Sequence, residues 1–510
     1  MRNYIKKIQY NTIILFCINF IILLVTFGVL VFSKHYSSDD FYCYYYQFDE
    51  AKAVIFSSYR IFLGVIYYLL DLLNINVVAN QIFFGVLMLV CFAISCTIVT
   101  CEIMRSMSDQ NICNHKLLIY AINAGSLMLI LNVFTTEWVW FSLGYIQWGG
   151  GILSATYAAV LFARKNDRLF NYILVYLMLF IAAGCYQITL AIYVFIVMTL
   201  IMIKTKEKLG VQPILELVKA AFPAVTAIGV NIFITKILVY MGYGYNSTRA
   251  SSQLDYSLIA NNVERLLNSL ANIMVTGFGF LPKYCFLFFL IIYLYFIIKG
   301  IYTRGEKYSI VFLVLSIIGG LAVMAFPTLI ADTFWLPARM MVPSIGVFAV
   351  LHWMSLYNRT DTCKSLIIVT MLGIMFLVVQ FFGIQAQEVD CIKTIAVEEN
   401  EIKTIAHFIE NYEQNSGNTI NKVAFIHDMA PTYKYYNIIS NDRYHGEMQT
   451  RSSLVDWSDI QLLNLYSGRS FVKIVPDATI QSQFNHENYN LFNPGQQIRF
   501  ANDIAYICNY

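Results

Sequence analysis

Charge is scarce in this 510-residue chain: Asp, Glu, Lys and Arg make up 13% of it, where soluble domains carry roughly a quarter. A water-soluble fold for the whole chain is excluded. The formal net charge is only +3 and no basic patch stands out, so nothing here calls for a nucleic-acid partner. The 11 cysteines include no CxxC pair and the 7 histidines form no cluster, which removes the usual signature of a structural metal. Most of the cysteines lie in apolar runs, where a thiol behaves as a small hydrophobe. No internal repeat stands out, whereas many transporters carry one.

What the chain has in abundance is hydrophobicity, 58% of all residues. Apolar runs of about 20 residues, the length a helix needs to cross hydrocarbon, recur from Asn11 to Ile384. They predict a polytopic α-helical membrane protein with about 11 transmembrane helices. The first run, Asn11 to Ser33, follows Arg2, Lys6 and Lys7 and has no obvious small-residue cleavage site. It reads as a retained anchor with a cytoplasmic N-terminus. The later basic residues, among them Arg105, Lys116, Arg164, Lys204, Lys299, Arg359 and Lys364, fall on alternate loops and agree with that orientation. Residues 41–76 are too polar for a span and read as one or two interfacial helices. From residue 385 the composition becomes that of a soluble domain. Lys422 to Ile426 and Phe471 to Val475 read as strands, with a helix near Asp456 to Leu465 between them. The expected organisation is therefore a transmembrane domain, residues 1–384, and a small extracytoplasmic α/β domain, residues 385–510. Cys391 and Cys508, both in that tail, are candidates for a disulfide if it sits in an oxidising compartment.

The unusual polar residues gather where this topology puts the outer ends of the spans. Asp39 and Asp40, adjacent carboxylates just past the first span, head the set, followed by Arg60, Glu137, Gln187, Asp332 and Arg339. Charge so close to hydrocarbon is costly unless partners or water hold it. Such a site suits an enzyme whose donor is anchored by a lipid tail and whose acceptor arrives from outside. Asp39 or Asp40 would then act as general base, while Arg339 and Arg60 hold the departing donor phosphate. Glu137, Trp138, Tyr186 and Gln187 suit a sugar, since aromatic faces stack on its apolar side and acids and amides bind its hydroxyls. A divalent cation, Mg or Mn, on Asp39 and Asp40 is left open, because the sequence offers no dedicated cage. The plainer alternatives are a solvated loop for the aspartates, an Arg60 that snorkels or pairs with Asp49 or Asp71, an interfacial belt for Trp138, Trp140 and Trp148, and an incidental His35.

Taken in order and sidedness, Ser38-Asp39-Asp40-Phe41, Arg60, Glu137-Trp138 through Tyr145, Tyr186-Gln187 and Pro337-Ala338-Arg339 resemble the membrane-embedded glycosyltransferases of GT-C architecture. The likeness is greatest to the bacterial GtrII-like glucosyltransferase family. It implies transfer of a hexose, glucose in that family, from a polyprenyl-phosphate sugar to a cell-surface glycan such as O-antigen. The reaction would take place at the outer face of the bacterial cytoplasmic (inner) membrane, with inversion at the anomeric carbon. The resemblance makes Asp39 or Asp40 the catalytic carboxylate without deciding between them, and makes the tail a candidate for acceptor recognition. Two other readings compete: a GT-C transferase moving mannose or another sugar to lipid or protein, and a lipid-linked glycan flippase or exporter that makes no bond.

Overall fold

The computed structural model describes residues 2–45, 48–108, 116–164, 169–204, 211–244, 256–304, 308–329, 334, 336–358, 363–427, 451–484 and 492–509. Helix dominates up to residue 416, as it must where lipid leaves backbone N–H and C=O groups no partner but each other. Among the described residues eight helices are long and apolar enough to cross a membrane: Thr12–Phe32, Gln81–Met107, Ser142–Ala163, Leu215–Tyr240, Cys285–Thr303, Ile310–Leu329, Ala338–Tyr357 and Lys364–Ser416. The three other expected spans fall on Lys116–Met128, Leu169–Cys185 and Thr189–Lys204, helices of 13, 17 and 16 residues. Length and composition alone therefore support eight crossings rather than about eleven. The shortfall arises where the chain leaves the helix at Leu129 and again at Tyr186, just before two of the segments that build the site described below.

Helix Ala338–Tyr357 is buried along its whole length and packs against Lys116–Met128, Tyr308–Leu329, Thr189–Lys204 and Cys285–Arg304. Its polar side chains are matched to carbonyls on a neighbour. Trp353 Nε1 donates to Ile122 O at 3.1 Å, and His352 Nε2 lies 2.8 Å from Ala121 O. A second polar set joins the first helix to the next two: Asn123 donates to Asn19, Asn19 to Thr97, and Thr100 to Asn123 and Ser126. Such interhelical bonds replace the hydrophobic driving force that is missing between helices in lipid. At the end of the bundle remote from Asp40, the buried Glu102 carboxylate holds Arg164 at 3.0 Å and Lys204 at 3.4 Å.

Residues 40–72 form three short helices, Asp40–Tyr45, Asp49–Ser57 and Ile61–Leu72, rather than one or two. The left-handed Phe48 and Tyr59 break them apart. The largest departure from expectation lies near residue 384, because one helix runs unbroken from Cys363 to Ser416. The change in composition thus occurs within a single rod about 80 Å long. Beyond it stands a four-stranded sheet of order β2-β1-β4-β3, with β1 Lys422–His427, β2 Val472–Lys473, β3 Ile498–Ala501 and β4 Ile504–Asn509. β1 lies parallel to both neighbours, and β3 and β4 form an antiparallel hairpin turned by Asn502, whose φ is 55°. The helix between β1 and β2 is Asp459–Ser467. Cys391, on the long helix, and Cys508, in β4, are both buried.

Two glycines test this packing. A Cβ on Gly300 would collide with the backbone carbonyl of Asn358, which no rotamer change relieves, whereas a Cβ on Gly229 meets nothing within 4 Å. Gly300→Ala should lower the thermal unfolding temperature of the purified protein by several degrees, and Gly229→Ala should leave it unchanged or raise it slightly.

Candidate active site

The segment Thr135–Trp148 gathers nearly every residue singled out above. It comprises a one-and-a-half-turn helix, Thr135–Trp140, a 3-10 turn, Ser142–Gly144, and the start of helix Tyr145–Ala163. A helix that short has most of its N–H and C=O groups unsatisfied by its own turns, so they are available to other segments.

On one side lies a buried ion pair. Glu137 is 0% exposed and Arg339 7%. Arg339 NH1 donates to Glu137 Oε1 at 3.1 Å, and the Arg339 backbone N–H donates to Oε2. The guanidinium also lies 4.7 Å from the Phe141 ring centre, and Trp138 Nε1 donates to Arg339 O at 3.0 Å. Trp138 in turn stacks on Trp148 with centroids 5.0 Å apart and planes within 8°. Both oxygens of Glu137 are thereby engaged by Arg339.

On the other side lies the loop after the first helix. Asp40 is fully buried, and its two oxygens accept the backbone N–H groups of Leu143 at 2.7 Å and Ser37 at 2.8 Å. Leu143 O accepts the Tyr67 hydroxyl. His35 stacks on Trp140 at 5.2 Å, with its ring nitrogens 2.8 Å from Ser33 O and 3.0 Å from Trp140 O. Both of those partners are acceptors, so the hydrogen bond that ties the loop to the segment, to Trp140 O, is the one made by a protonated Nε2. Asp39, one residue earlier than Asp40, is half-buried.

The third approach is from Arg60, which precedes helix Ile61–Leu72. Its NH1 donates to Gln147 Oε1 at 3.3 Å, and its guanidinium lies 4.9 Å from the Tyr186 ring centre. Tyr186 meets Trp148 edge-on at 4.6 Å. Gln187 Nε2 donates to Ser58 O and Tyr59 O, at 3.2 and 2.8 Å, and so holds the turn that presents Arg60. Asp49 and Asp71, the expected structural partners of Arg60, are both bound by Lys52 instead.

Asp39, Asp40, Arg60, Glu137, Trp138, Tyr186, Gln187 and Arg339 thus belong to one neighbourhood, although the first and the last are 300 positions apart. Asp332 lies outside the described residues. Charge and hydropathy did not single out Leu143, Gln147 or Phe141, which act through a backbone amide, a neutral amide and a ring face. Gln387, Glu388 and Asp390 were missed despite a readable signal: like Asp39 and Asp40, they are polar residues just past an apolar run. All three are buried, and the neighbouring Gln385 donates to both Glu388 and Thr26 O at the end of the first helix.

Burial pushes the Asp40 carboxyl above its ordinary range, against the pull of the Ser37 and Leu143 amides and the nearby His35. Each Asp40 oxygen accepts one backbone amide and keeps a further lone pair. The described group with metal-ligand spacing is elsewhere, His427 at the end of β1 with Asp456 and Asp459. There the Lys473 ammonium, 2.6 Å from Asp459 Oδ2, already supplies the positive charge.

A bundle of apolar helices carrying acids, arginines and stacked aromatic rings at one end defines a multi-pass membrane protein with a polar site at the edge of its spans. The chain belongs to the glucosyl transferase GtrII family, whose model matches residues 28–357. That match runs from the end of the first helix to the end of helix Ala338–Tyr357, and so takes in the whole neighbourhood from Asp39 to Arg339 but not Gln387, Glu388 or Asp390. No curated protein and no solved structure matches the chain.

Two stability measurements check this geometry. Asp40→Ala would leave two buried N–H groups without acceptors and should cost about 1–3 kcal/mol for each. Because the folded state holds the Asp40 proton more tightly than the unfolded chain does, its contribution to stability falls as pH rises from the ordinary carboxylate range through the raised folded value. Asp40→Asn should flatten that slope in thermal melts taken across the same range. For the ion pair, Glu137→Gln or Arg339→Gln alone should cost about 3–5 kcal/mol, and the double variant less than the sum. A strictly additive double-mutant cycle would contradict the pairing.

Proposed function

We propose that the protein transfers glucose from a polyprenyl-phosphate donor to a cell-surface glycan at the outer face of the cytoplasmic membrane. The family supports a glucosyltransferase, and the observation that supports the finer reading is the approach of the Asp39-Asp40 loop, through Asp40, and of Arg60 with the Trp148–Tyr186 aromatic corner to the one segment Thr135–Trp148. In this reading the three shorter helices also cross, giving eleven crossings of GT-C type. The N-terminus is then cytoplasmic, and the sheet domain lies on the same outer side as Asp39.

The roles follow from burial. Asp40, each of whose oxygens accepts a backbone amide, holds the loop, so the half-buried Asp39 is the general base. It takes the proton of an acceptor hydroxyl as that oxygen attacks the anomeric carbon. The bond from that carbon to the phosphate oxygen breaks on the opposite face, and the configuration inverts. Polyprenyl phosphate departs with its bonding pair. Arg60 stabilises the charge developing on it, because its hydrogen bond to Gln147 is to a neutral group and is readily exchanged for one to phosphate. Arg339, engaged by Glu137, keeps the aromatic floor in place rather than meeting the donor. The sugar lies against Trp148 and Tyr186.

Membranes containing the protein, given labelled polyprenyl-phosphate glucose and envelope glycan, should transfer label. Asp39→Asn should lower kcat by about 10²–10⁴-fold with the melting temperature unchanged. Arg60→Gln should lower kcat/KM for the donor, and Arg60→Lys should recover part of it. An Asp39→Asn enzyme with wild-type kcat would remove the base and, with it, this mechanism.

A further inference from the structure

Beyond the family-matched segment, the outer half of the long helix carries an open groove of about 440 Å³ lined by Lys403, Thr404, His407, Phe408 and Asn411. These positions recur at helical spacing and so share one face, about 12 Å long from first to last. Four of the five side chains are polar, and one offers an aromatic ring. The ring is held in place from behind: Phe408 stacks on Phe500 at 5.9 Å, and Phe500 on Tyr412 at 3.8 Å with planes within 9°.

The composition selects the ligand. A lipid tail or an apolar peptide would leave a hydroxyl, an amide, an ammonium and an imidazole facing hydrocarbon. A polyanion finds little field, because Lys403 is bound to Glu399 and His407 lies 3.4 Å from Glu410. A polyhydroxylated chain fits the face, with a sugar ring on Phe408 and hydroxyls donating to Thr404 Oγ1, whose own proton goes to Asn400 O, and meeting the Asn411 amide.

Position supports the same choice. At the inner end of the groove Lys403 lies 5.5 Å from the Tyr466 ring centre and is bonded to Glu399. Just before the groove Glu398 Oε1 accepts the Ser453 backbone N–H at 2.7 Å and Glu401 pairs with Arg451, which brings this helix to the segment that meets the loop carrying Asp39. The tail is fastened to that loop by Ser452 Oγ, which donates to Tyr36 O at 3.2 Å, and by the Tyr45 hydroxyl, which donates to Gln461 O at 3.2 Å. The Lys403 end of the groove is therefore the end nearer the loop that carries Asp39.

We propose that this groove is an acceptor subsite that binds an oligosaccharide along the long helix, with its reacting end directed toward Asp39. This rests on the transferase reading and extends it to residues that the family match does not reach.

The test separates binding from turnover. Full-length protein in nanodiscs is titrated, without donor, with oligosaccharide fragments of the host's envelope polysaccharide. The same variants are then assayed for transfer. Phe408→Ala should weaken binding about tenfold, the scale of one lost aromatic contact. Thr404→Ala and Asn411→Ala should weaken it severalfold, and Phe408→Tyr should retain it. In the transfer assay acceptor KM should rise while donor KM and kcat stay unchanged. Unaltered binding and acceptor KM in all three alanine variants would overturn the subsite and leave the transferase reading standing. Binding that is lost in the variants, in a wild-type protein that transfers no glucose, would retain the oligosaccharide site and remove the transferase reading. Thr404 and Asn411 lie toward solvent, so their variants remain informative even if Phe408→Ala fails to fold.

Discussion

A buried carboxylate facing a buried guanidinium, Glu137 with Arg339, is the constraint on which the site depends. Removing two charges from water costs several kcal/mol for each ion, and the cost is offset only where geometry and further hydrogen bonds are good. Here the backbone N–H of Arg339 adds a second bond to the same carboxylate, and Phe141 covers the guanidinium. The pair joins segments 202 positions apart. Once joined, Trp138 has its acceptor in Arg339 O, Trp148 has a ring to stack on, and the chain from Thr135 to Trp148 is held in one course. Only then does its far edge present Leu143 N to Asp40, Trp140 O to His35 and Gln147 to Arg60.

The charged residues divide into two kinds accordingly. Asp40, Glu137 and Arg339 are buried and closely engaged, so they are expensive to disturb and well suited to holding a shape. Asp39 and Arg60 are half-buried beside them and suited to exchanging partners. Chemistry at a membrane surface needs both kinds. A loop just past a span has little hydrophobic packing of its own to hold it, and a general base that is misplaced by about 1 Å loses much of its effect. The family match covers both kinds of residue and ends before the long helix, which adds a wall from outside the matched region.

Much of this could be read in the sequence. Each apolar run is helical, and the acids and arginines identified by their position beside lipid lie in one neighbourhood as far as they are described, Asp332 being outside the described residues. That inference works because charge near hydrocarbon is costly enough to need a reason. The role of each residue was less legible, because it depends on partners that hydropathy does not reveal. Arg339 looks like the better phosphate ligand in isolation, beside a proline in an apolar stretch, and its pairing with Glu137 exists only in three dimensions. Asp39 and Asp40 are indistinguishable as letters and differ in burial. The unbroken helix Cys363–Ser416 was hidden because hydropathy records where a helix leaves lipid, not where it ends. β3 and β4 were hidden because four-residue and six-residue strands around Asn502-Asp503 leave a weak alternating pattern.

The most direct measurement is a structure of the protein in lipid with a polyprenyl-phosphonate glucose analogue that cannot transfer its sugar. The phosphonate should lie within hydrogen-bond distance of Arg60, with the Asp39 carboxylate facing the anomeric carbon and the Glu137–Arg339 pair intact. A phosphonate held by Arg339, with Glu137 displaced from it, would contradict the account.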